Sequence, residues 1–175
     1  MDNKIRLGYC RETARKILKQ FNISTPPVDI IKILKNKGYI YKEVSNFPDK
    51  LSALLVEKDD VYYAAVNKNH ATTRKRFSLA HELGHKELFH KVLHYDAPIT
   101  IDNPPINPYL QHELNQKYLE SEADEFAGEL LVPLNFLKEA FKEGLRELND
   151  LAKLFNVSSA VVSIRLMNNQ KLLFK

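Results

Sequence analysis

Residues 76–90 read RFSLAHELGHKELFH and place His81, Glu82 and His85 in the order H-E-x-x-H within a helical pattern. Residues four apart on an α-helix sit about 40° apart in rotation and one turn apart along the axis. Two imidazole nitrogens so arranged can take two corners of a tetrahedron around a zinc ion. Glu82 lies beside His81, where it can reach a water at the remaining corner without itself ligating. As a general base it would take the water's proton and later pass it to a leaving amine. The motif is short and occurs by chance, so it needs support from elsewhere in the chain. Gly84 offers some. A mid-helix glycine costs about 1 kcal/mol relative to alanine, which is best understood where another element must approach closely.

Two histidines do not complete a catalytic zinc site; a third protein ligand is required. A histidine ligand in the H-E-x-x-H-x-x-G-x-x-H pattern is excluded, because Leu88 and Lys91 stand where Gly and His would be needed. His90 and His94 miss that spacing and read as helix-end or surface residues. The better source is YLESEADEFAGELLVP, in which Glu120 and Asp124 share a face and Leu119, Ala123, Phe126, Leu130 and Leu131 form an apolar stripe. Glu120 would be the third ligand. Asp124, one turn on, would accept a hydrogen bond from the free ring nitrogen of a metal-bound histidine and fix its tautomer. Glu122 is the main rival, with Glu113 and Glu125 behind it. Glu122 lies about 200° around the helix from Glu120, so the two cannot both face the metal. Glu122, Glu125 and Glu129 read as a wet helix face.

The elements that must position these groups are visible in the periodicity. CRETARKILKQFNI carries an apolar stripe at Ala14, Ile17, Leu18 and Phe21. A second helical stripe, Val28 to Leu34, follows Pro26 and Pro27 and ends at Gly38. YIYKEV reads as a strand, and LSALLVEKDDVYYAAVNKN as a hairpin turning at EKDD. The H-E-x-x-H helix should begin between Ala71 and Arg74. YDAPITIDNPPINPY holds four of the eight prolines and cannot be helical. A long helix then runs to Pro133, PLNFLKEAFKEG forms a short one, and LRELNDLAKLFNVSSAVVSIRLMNN reads as two helices turning at NVS. KLLFK reads as a final strand or tail. The VYYAAVN strand could be an exposed edge lining the cleft, where an extended substrate would add as a further strand.

The 175 residues suffice for one globular domain, divided into N-terminal helices (1–40), a catalytic core (41–133) and a C-terminal helical segment (134–175). No apolar run approaches the ~20 residues of a membrane span, and the N-terminus has no signal-peptide pattern. The one cysteine, Cys10, permits no internal disulfide, fits a reducing cytoplasm and reads as a packed or idle thiol. A net charge of +4, from 26 Lys+Arg against 22 Asp+Glu, is too diffuse to announce nucleic-acid binding. Arg74, Lys75 and Arg76 read as a solvated face.

RFSLAHELGHKELFH followed by ESEADEFAGELLVP resembles the ImmA/IrrE family of metallopeptidases, and the likeness extends over nearly the whole chain. The resemblance implies an α+β fold. Its zincin-like core would hold a small antiparallel or mixed sheet, with the H-E-x-x-H helix packed against a second, Glu-bearing helix and further helices at the C-terminus. It implies one zinc ion held by His81, His85 and Glu120, with Glu82 as catalytic base. It also implies a protein substrate, since members commonly cleave helix-turn-helix transcriptional repressors. For the oxyanion, His112, Tyr118 and Arg74 are candidates, and ordinary surface roles suit all three better.

Two other readings compete. Residues 148–169 have a helix-turn-helix outline with Ser158 to Arg165 as the reading helix, but Arg165 is almost its only base-reading group. Direct DNA binding is therefore not expected, and the segment should pack against the core or help dock a repressor. A structural zinc site would need four protein ligands, often cysteine, and only three suitable groups are evident.

Overall fold

The computed structural model describes residues 5–90 and 114–173. The proline-rich segment, His94, His112 and Glu113 lie outside them. Among the described residues the fold is α+β, with seven helices and a three-stranded mixed sheet. In chain order the elements are α1 (Leu7–Gln20), α2 (Ile30–Asn36), β1 (Ile40–Val44), β2 (Ala53–Lys58), β3 (Val61–Asn67), α3 (Thr72–Glu87), α4 (Leu114–Leu131), α5 (Leu134–Lys142), α6 (Leu148–Phe155) and α7 (Ser159–Leu173). None of these helices is long and apolar enough to cross a membrane.

α1 buries Cys10, Ala14, Ile17 and Leu18 along one stripe. Burial pushes the Cys10 thiol up to about 12, which leaves it unreactive. Asp29 caps α2 by accepting a hydrogen bond from the Lys32 backbone N–H at 3.0 Å. β2 and β3 pair antiparallel with Lys58 opposite Val61, so the hairpin closes through Asp59 and Asp60 alone. Both have positive φ, 52° and 60°, the conformation that matches a two-residue turn to the twist of its strands.

β1 pairs in parallel with β3, giving the order β1-β3-β2. β3 is therefore the central strand, and the expectation that VYYAAVN is an exposed edge is wrong. Its run Ala64, Ala65, Val66 is buried on both faces. Ala64 and Val66 meet the main helical core, while Ala65 joins Phe47, Leu51, Leu54 and Val56 on the other side. A strand covered on both faces loses its polar alternation. β2 is the edge strand bordering α3.

Three other expectations need correction. α7 continues to Leu173, so Lys171 to Leu173 are helical and not a strand. Arg76 is no part of a solvated face. It is buried and donates from Nε to the Asn156 carbonyl at 2.9 Å and from Nη2 to the Val28 carbonyl at 2.8 Å, tying α3 to the α6–α7 turn. The third concerns α4. Glu122, Glu125 and Glu129 are 3%, 7% and 0% exposed, so they form an internal acidic row, not a wet face. Arg6, Arg11 and Arg15 meet them in order at 2.6, 2.6 and 2.7 Å. Arg165 of α7 adds a second cation, reaching Glu125 at 2.8 Å and also bonding Glu129. A charge on the inner face of a helix is tolerated only when paired in this way.

Candidate functional site

α3 and α4 cross at Gly84. A Cβ there would lie 2.9 Å from Phe126 Cδ1 and 3.2 Å from the Ala123 carbonyl oxygen, so only glycine lets the helices approach this closely. The close crossing brings His81 and His85 of α3 against Glu120 of α4. His81 Nε2 lies 2.9 Å from His85 Nε2 and 3.1 Å from Glu120 Oε2, and His85 Nε2 lies 3.6 Å from Glu120 Oε1. One ligand atom from each residue falls within 4.8 Å of the others, a spacing that suits a single ion. Nitrogen, nitrogen and carboxylate oxygen are the donor set of a three-ligand zinc site with an open position, so the residues fit the metal. Asp124 Oδ1 lies 2.9 Å from His81 Nδ1, on the ring nitrogen turned away from the cluster.

The electrostatics fit a site built for a cation. Burial disfavours charge on His81, but the hydrogen bonds its ring donates to Asp124 and Glu120 outweigh it and raise the ring to about 10. Glu120 is held well below the usual carboxylate range, because its bonds to His81 and His85 overcome desolvation. Desolvation raises the Glu82 carboxyl above its ordinary value, although His81 and His85 pull the other way. Glu82, His81, Glu120 and Asp124 line a cleft of about 630 Å³ whose far wall includes Ser52, Ala53 and Arg74. Of the other two candidates for the oxyanion, Tyr118 does not line this cleft. Tyr118 is exposed on α4, and His112 is outside the described residues. Arg74 faces the cleft, donating from Nε to Ser52 Oγ at 2.7 Å.

The profile of the IrrE N-terminal-like domain of the M78 peptidases matches residues 44–167. The chain belongs to the M78 peptidase family. This M78 member has no match among curated proteins. Among solved structures it is similar to a Mycobacterium tuberculosis transcriptional regulator, with a TM-score of 0.66 at 17% identity. That likeness covers 91% of this chain and 46% of the regulator, so the chain spans less than half the regulator's length and the similarity is one of fold.

Sequence reading missed one residue at the candidate site. His90 was placed at the helix end or surface, yet its side chain is 1% exposed and touches His85. Glu122 reaches His90 from the far side. Burial pushes the His90 ring below its ordinary value, although Glu122 opposes the shift. No helical spacing could have announced it. Phe89, at φ 55°, turns the chain out of the helix and brings the next side chain back underneath.

Proposed function

We propose that this protein is a zinc-dependent endopeptidase that cuts a protein substrate, with a helix-turn-helix transcriptional repressor as the best-fitting class. The observation that carries this is the convergence of His81 Nε2, His85 Nε2 and the Glu120 carboxylate beside Glu82. His81, His85 and Glu120 would hold the ion, and Asp124 would orient His81. Zinc bound there supplies a Lewis acid that lowers the pKa of water and polarises a carbonyl. Glu82, its affinity for a proton raised by burial, takes the proton from the attacking water and delivers it to the leaving amine nitrogen.

The substrate would lie extended along β2, the edge strand that borders the cleft. Past Phe77, Asp124 and Val161 the cleft meets a second hollow of about 500 Å³ with Leu7 and Ile164 at its rim, suited to an apolar substrate side chain. The C-terminal helices belong to the same unit in this reading. Arg165, the base-reading candidate of the DNA-binding alternative, is 2% exposed and engaged with Glu125 and Glu129. The buried single cysteine suits a reducing cytoplasm.

Elemental analysis and a peptide-library digest read by mass spectrometry test this together. The wild type should carry about one zinc per chain and cleave. Glu120→Ala should lose the metal, and Glu82→Gln should keep the metal while losing 10²-fold or more of its turnover. A wild type that takes up no zinc under careful loading would sink the proposal.

A further inference from the structure

We propose that His90 is a positioning residue for the metal site, the link between His85 and Glu122 in a relay running Arg6–Glu122–His90–His85. The inference rests on the reading of His85 as a ligand through Nε2. It adds residues that no helical spacing connects to the site.

The geometry is continuous and each step is short. His85 Nδ1 lies 2.9 Å from His90 Nδ1, and His90 Nε2 lies 3.1 Å from Glu122 Oε2. Arg6 holds both Glu122 oxygens. Its backbone N–H donates at 2.7 Å, its Nε at 2.9 and 3.1 Å, and its Nη2 at 2.6 Å. The side chains of His90 and Glu122 are 1% and 4% exposed, so water cannot substitute for a missing partner.

Counting hydrogens leaves one consistent arrangement. A histidine that ligates through Nε2 carries its proton on Nδ1. His85 Nδ1–H must then donate to His90 Nδ1, which has to be bare. His90 therefore carries its proton on Nε2 and donates it to Glu122, an acceptor on both oxygens. The charge of Arg6 keeps that carboxylate ionised and aimed. His85 gains a fixed ring plane and a more basic ligating nitrogen, as His81 does from Asp124.

The backbone agrees. Phe89 stands in the left-handed region at φ 55° although its side chain is 83% exposed. A bulky residue there costs about 1 kcal/mol or more and persists where the surroundings demand it. The His90 N–H donates to the His85 carbonyl at 3.0 Å and closes the turn. The strain places an imidazole beneath a ligand.

Two measurements decide the matter. Long-range ¹H–¹⁵N spectra of the zinc-loaded wild type should show His85 protonated on Nδ1 and His90 protonated on Nε2 alone. A proton on His90 Nδ1 would overturn the relay, and this reading needs no variant to fold. Competition against a chelator should show His90→Phe weakened in zinc affinity by about 10- to 100-fold. His90→Asn should recover most of that, because its Oδ1 can accept where Nδ1 did. Unchanged affinity in His90→Phe, beside a wild type that binds one zinc, rejects the relay and leaves the site intact. A wild type that binds none rejects the site itself.

Discussion

Glu122 is the residue whose charge state reports most directly on the interior. Burial opposes its ionisation, but the bonds from Arg6, and a further one from His90, hold its pKa down at about 2. In the unfolded chain a glutamate titrates near pH ~4.3. The folded pKa is the lower one, so the native state binds fewer protons between the two values and stability rises with pH across that interval. The contribution is complete above the unfolded value and disappears as acid carries the pH toward 2. In urea titrations of the metal-free protein, the stability gap between wild type and Glu122→Gln should narrow steadily as the pH falls from about 5 to 2. A gap that stays constant would mean the carboxylate charge contributes nothing. Glu122 was legible in the sequence only as a residue that could not share the face of Glu120. Its partner Arg6 is 116 positions away, and no local spacing links the two.

Among the elements, the α3–α4 pair carries the site, and two backbone positions govern it. Gly84→Ala would set a methyl group 2.9 Å from Phe126 Cδ1 and against the backbone of Ala123. Backbone cannot give way as a side-chain tip does, so the helices must separate. Overpacking of this kind costs about 1–3 kcal/mol, partly offset by the better helix propensity of alanine. The diagnostic outcome is a loss of zinc affinity larger than the loss of thermal stability, since the candidate ligands come from both helices. Phe89→Gly should act in the opposite direction. It relieves the left-handed strain, leaves the His90 turn in place, and should raise the melting temperature by about 2–4 °C. A fall in melting temperature would show that the Phe89 ring packs usefully. The meeting of His81, His85, Glu120 and Asp124 was legible because helical spacing translates directly into a shared face. Gly84 was legible as a helix contact for its cost. The centrality of β3 was not read, although its unbroken Ala64–Val66 run carries the signal, because a buried run and an edge run both score as strand.

The whole molecule is organised around the three buried carboxylates of α4, neutralised from both ends of the chain. Arg11 and Arg15 reach them from α1, and Arg165 reaches them from α7. Gly128 makes room for Arg165, whose Cδ lies 2.9 Å from where a Cβ would stand. Removing one partner from a buried ionic cluster costs about 3–5 kcal/mol, because the remaining charge is left uncompensated. Arg165→Met should lower the unfolding free energy from denaturant titration by that amount, far more than Arg15→Met, whose side chain is half exposed. Equal effects would show that the α7 contact is peripheral. None of this was read from the sequence, where the same glutamates look like an ordinary polar face.

The double neutralisation has a consequence for the order of synthesis. Until Arg165, thirty-six residues beyond Glu129, has left the ribosome, Glu125 and Glu129 have only Arg11 and Arg15 to neutralise them. A nascent chain stalled short of that point should leave α4 open to digestion and take up no zinc. His81, His85 and Glu120 would then come together only after α7 has joined α4.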